Sequence, residues 1–141
     1  MRRPTEAQME GARQLFALEA HKAATSEDYA DAAGRVHDKL FVRLASLVSV
    51  EGARAIFARS LKLAAIDFPC LGTVDRDARS TESKPLVDCL RGQTPAAVIE
   101  TAVALFATLL SLLETLIGAR LTVSVLRSAW PAFGATKEET K

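Results

Sequence analysis

Residues 94–116, TPAAVIETAVALFATLLSLLETL, decide how this chain folds, because they are long, nearly uncharged and too apolar to stand alone in water. Thr94 is a good N-cap, Pro95 sits at a first helical position where a missing N–H costs nothing, and Gly118 supplies a stop. The segment reads as one capped helix over 94–117. At about 100° per residue, the apolar residues from Val98 to Ile117, with Leu105, Phe106, Leu109 and Leu113 at their centre, cover half of its circumference. That half has to be buried.

The opposite arc carries Thr101, Ala104, Thr108, Ser111 and Thr115, with Glu100 and Glu114 as the only charges of the helix. A free surface helix carries Lys, Arg and Glu on such an arc. Small side chains and hydroxyls instead let a second helix approach closely, from this chain or from a twin, and tolerate an interface better than charges do. The arc therefore predicts a homodimer built on Thr101, Ala104, Thr108, Ser111 and Thr115. A partly exposed central bundle helix is the plainer alternative.

Around this helix the chain offers 141 residues, enough for one domain over 1–141 with its own core. The apolar share is 49%, the charged share 25% and the net charge +1, which leaves no electrostatic footprint for nucleic acid. MRRPTEAQMEG at the start acquires Glu and Gln where an export signal needs an apolar run. The longest uncharged part of the apolar segment, 101–113, is short for a bilayer span and is bracketed by Glu100, Glu114 and Arg120. A soluble, cytoplasmic protein with no membrane partner is expected.

Further helices follow from local signals. Pro4, Thr5 and Gln8 fit a capping box opening a helix over 5–24, with a thin stripe of Met9, Ala12, Phe16, Ala20 and Ala23. That stripe predicts that the first dozen residues are the least firmly held. Thr25, Ser26, Glu27 and Asp28 open a second helix over 26–48, striped by Tyr29, Ala33, Val36, Leu40, Leu44 and Leu47. Ser49 to Gly52 interrupt it, and Ile56, Phe57, Ser60, Leu61 and Leu63 resume helical spacing over 50–68, ahead of Pro69. Residues 70–93 turn polar and loop-like, with a short helix over 84–91 between Pro85 and Gly92. A last helix over 119–130 ends before Pro131, and the tail FGATKEETK is expected to fray. The fold class expected is all-α: an antiparallel four-helix bundle with an additional N-terminal helix and a long loop before the central one.

There is also an internal echo. Leu47, Val48, Gly52, Ala53 and Arg54 resemble Leu116, Ile117, Gly118, Ala119 and Arg120, and each group is followed by an aromatic and a proline, Phe68–Pro69 and Trp130–Pro131. Two helical hairpins reversing in the same way would produce it.

Chemistry is sparse. No glycine-rich phosphate loop, nucleophile elbow or paired His ligands occur. Cys70 and Cys89 lack metal-ligand spacing and read as free thiols, with a disulfide across the loop as the alternative. Asp75 and Asp77 lack the Gly and terminal Glu of a calcium loop. No metal and no cofactor are expected. Arg35, Lys39 and Arg43 repeat at helical spacing and form either a face for an acidic partner or a solvated face stabilised by Asp31.

Val36, His37, Asp38, Lys39 and Leu40 resemble the His-Asp-x-Leu box of one class of histidine-kinase dimerisation helices, over about a dozen residues up to Leu44. The resemblance implies phosphate acceptance by His37 assisted by Asp38. With no ATP-binding domain in the sequence, kinase activity does not follow from it. Three functional readings result: a regulatory or protein-interaction module in the bacterial style without catalysis, a bundle sensor enclosing an apolar small molecule or lipid, and a His37 phosphotransfer module.

Overall fold

The structure, a computed structural model, describes residues 3–75 and 83–133, and every regular element among them is an α-helix. They are α1 (Glu6–Ala20), α2 (Ser26–Ala64), α3 (Leu71–Asp75), α4 (Lys84–Arg91), α5 (Pro95–Ile117) and α6 (Ala119–Ala129). Asp77 and the tail 134–141 lie outside the described residues.

Three of the helix starts rest on threonine. Thr5 and Thr25 each accept from the third residue beyond, Gln8 and Asp28, whose side chains reach back to the cap N–H to complete two capping boxes. Thr94 accepts from Ala97 N–H, with Pro95 at the first helical position. Although α2 runs on to Ala64, it is kinked at Ser49, whose φ of 84° and ψ of 162° are non-helical and whose Oγ accepts from Gly52 N–H at 3.1 Å. Beyond Ala64 the chain tightens into a turn, in which Asp67 N–H bonds the Ala64 carbonyl, so the helix stops four residues short of Phe68. The following α3 is a helix where the sequence suggests only loop.

α5 buries Val98, Leu105, Phe106, Leu109, Leu110 and Leu113 against α1, α2 and α6. It is long and apolar enough to cross a membrane by length and composition, yet 56% of its most apolar stretch is buried inside the chain. α1 is embedded in the core. Leu15, which lies off the Ala-rich stripe, is wholly buried beside Ala12 and Phe16, and Gln8 Nε2 donates to Glu114 on α5 at 2.9 Å.

The internal echo has a structural counterpart in a different register. The first limb of α2, 26–48, has the same length as α5, 23 residues. Each starts after a capping threonine and ends at a residue of positive φ, Ser49 or Gly118, so Ser49 and not Gly52 corresponds to Gly118. In this register the buried residues coincide: Val36 with Leu105, His37 with Phe106, Leu40 with Leu109, Leu44 with Leu113, Phe57 with Leu126 and Leu61 with Trp130. Packing is reciprocal too, since α1 lies mainly on α5 while α4 lies on α2.

Candidate functional site

The weakly polar arc of α5 does not lie on an open surface. Ala104, Thr108, Ser111 and Thr115 form the floor of a half-open groove of about 890 Å³, with Glu100 at one end. One wall is the end of α2 and the turn after it, carrying Arg59, Leu63, Ala64, Ile66 and Phe68, while Arg3, Pro4 and Met9 close the other side with Leu112. From Glu100 to Thr115 a helix rises about 22 Å, so the groove is a trough rather than a compact cavity. Thr101 stands apart from the rest of the arc. It is only 2% exposed and does not line the groove, because its side of the helix is covered by the chain itself.

The internal correspondence supplies the physical reason for the hollow. Where the first half has the long side chains Arg35 and Lys39, α5 has Ala104 and Thr108; where the second half has Phe133, the wall has Ala64. Each exchange removes volume from the same face. The floor is also cheap to dehydrate: the Thr108 hydroxyl donates to the Ala104 carbonyl at 2.8 Å and the Thr115 hydroxyl to Ser111 at 3.0 Å. Polar groups already bonded lose little on burial.

Charges around the groove divide into paired and unpaired. Arg3 binds Asp67, which raises the guanidinium pKa and lowers that of the carboxyl. Arg59 and Glu100 have no such partner among the described residues.

The three-cation face on α2 is largely engaged within the chain. Arg35 Nε donates to Glu19 on α1 at 3.1 Å, and Lys39 also binds the Glu19 carboxylate. Trp130 Nε1 donates to the same carboxylate at 2.8 Å, with Lys39 Nζ 5.8 Å from the indole centre. Burial raises the Glu19 pKa, but these donors outweigh it and hold the carboxyl below its ordinary value. Arg43 is exposed. Glu19, which ties α1, α2 and the end of α6 together, was not singled out by sequence reasoning; a lone acid on an Ala-rich helix gives no signal of its partners.

His37 is 9% exposed and lies between aromatic rings, 4.7 Å from Phe57 and 6.1 Å from Phe41 between centroids. Its Nδ1 is 3.3 Å from Asp38 Oδ1, while Asp38 Oδ2 accepts from the Ser83 hydroxyl at 3.2 Å. Burial lowers its pKa against the opposing pull of Asp38. Its correspondence with Phe106 marks it as a core position, and a ring packed in this way presents little to a phosphoryl donor.

Cys70 and Cys89 are free and half-buried, at the start of α3 and on α4. Cys89 Sγ donates to the Cys70 carbonyl at 3.2 Å, and Gln93 Nε2 donates to Cys70 Sγ at 3.0 Å. Burial, with Cys70 adding to it, pushes the Cys89 thiol up to about 12. Among the described residues no three His, Cys, Asp or Glu side chains gather as metal ligands.

No known protein family, no curated protein and no solved structure matches this chain.

Proposed function

We propose that this protein is a small soluble interaction module, its long helices arranged as an antiparallel bundle, that receives an apolar helical element in the groove over α5. The observation that carries the reading is the groove floor of Ala104, Thr108 and Ser111, half-buried and lined by Leu63, Ile66, Phe68 and Leu112, with Thr115 at its exposed end. Recognition of an amphipathic helix by a groove uses such a surface: small residues let the incoming backbone come close, and Leu63, Ile66, Phe68 and Leu112 offer apolar contacts along the trough. The reading requires no catalytic group.

Selection of helical peptides from a display library tests it. Peptides chosen on the unmodified protein should be amphipathic and should lose binding to Ser111→Arg, which fills the floor. Equal binding to both proteins would refute the groove as the site.

A second reading, a groove for an apolar small molecule, is supported by the same volume, which lies in the usual range for such sites. The trough shape and its open side favour a helix.

A further inference from the structure

The groove has a projection beside it. Leu112 and Thr115 line its end, and Leu116, the next residue along α5, stands 62% exposed. Ile66, on the facing wall, is 59% exposed. A hollow and an apolar knob on one face are what a two-fold contact needs, because each copy must present both halves of the fit.

Resting on the groove reading, we propose that the element received is a second copy of this chain: two copies pair about a two-fold axis, and the Leu116 corner of each enters the α5 groove of the other. Charge selects this occupant over a strongly acidic or basic partner. Among the described residues the groove carries one unpaired cation, Arg59, and one unpaired anion, Glu100, so a partner of a single sign would leave one of them opposed. A second copy brings the opposite group to each, and Arg59 of one protomer compensates Glu100 of its partner. Dehydrating the floor opposes the pairing little, since Thr108 and Thr115 keep their hydrogen bonds inside α5.

The contact differs from simple stacking of two α5 arcs. Thr101 is buried within its own chain, and Ala104, Thr108 and Ser111 are half-buried on the groove floor, so they are reached only by something that protrudes, whereas Thr115 is exposed at the groove's end.

Light scattering across a dilution series measures the outcome. The unmodified chain, 15.2 kDa, should elute at twice that mass at tens of micromolar. Leu116→Glu removes the knob at an exposed position and Ser111→Arg fills the hollow; each should weaken pairing at least about tenfold with unchanged helical circular dichroism. Mixing the two variants should give a heterodimer tighter than either variant alone, because one intact knob meets one intact groove. A monomeric unmodified chain, or a dimer indifferent to both substitutions, overturns the proposal. A monomer that still selects helical peptides through Ser111 would leave the groove reading standing and remove only the self-pairing.

Discussion

Ser49 and Gly118 hold the same backbone conformation, φ 84° with ψ 162° and φ 87° with ψ 158°, at the ends of two helical stretches of equal length. This region is one that L side chains rarely adopt. Glycine enters it freely, whereas at serine it is a strained conformation.

The pair makes opposite predictions for two substitutions. Ser49→Gly should raise stability by about 1 kcal/mol, the relief of backbone strain exceeding the few tenths lost with the Ser49 cap. Gly118→Ala should lower it by about 1 to 3 kcal/mol, although no atom lies within 4 Å of the added methyl group. Urea unfolding of both variants checks the signs; a neutral Gly118→Ala would show that the turn relaxes to another conformation.

Gly34 gives a contrary case. In an exposed helix, Gly→Ala stabilises by about 1 kcal/mol. Here a Cβ would lie 2.7 Å from Val87 Cγ2 and 3.3 Å from Ser83 Oγ, so α4 would have to move away. Val is stiff at χ1 and cannot step aside. Gly34→Ala should therefore destabilise the protein, and a thermal midpoint at or above that of the unmodified chain would contradict the close approach of α4.

Leu109 and Leu113 are both 0% exposed on the inward face of α5. Replacing either with Ala should cost about 2 to 5 kcal/mol through lost transfer energy and the cavity left behind. Chemical unfolding measures this, and losses below about 1 kcal/mol at both positions would contradict the packing described.

His37 should give the stability a pH dependence. Burial lowers its pKa in the folded state, so just below about pH 6.5 the unfolded chain takes up a proton that the folded chain does not. Stability from this source is present at neutral pH and lost as the pH falls through that window. Carboxylates with lowered pKa, such as Glu19, act at more acid pH. His37→Phe, matching Phe106, should flatten the stability profile just below about pH 6.5; an unchanged profile would assign the effect elsewhere.

Much of the helical layout was legible because its signals are local. A capping threonine, a proline in the first turn and a periodic apolar stripe act within a few residues of one another, and Thr5, Thr25, Thr94 and Pro95 all do so. The break at Ser49 was legible for the same reason. α3 was not, since five residues carry too little pattern, and Leu15 was missed because its burial depends on where α1 lands on α5.

The sequence by itself determined which faces must be buried and that the outward arc of α5 is too weakly polar for an ordinary solvated surface. Only the tertiary structure decided what happens to that arc: Thr101 turns inward, Ala104, Thr108 and Ser111 become half-buried beside the end of α2 and residues 3 and 4, and Thr115 stays exposed at the groove's end. It also decided that Arg35 and Lys39 meet Glu19 and that His37 lies among aromatic rings. The reason is physical. Periodicity along one helix fixes the direction in which a side chain leaves its axis, but what stands opposite depends on elements distant in the chain, and no local pattern encodes that distance.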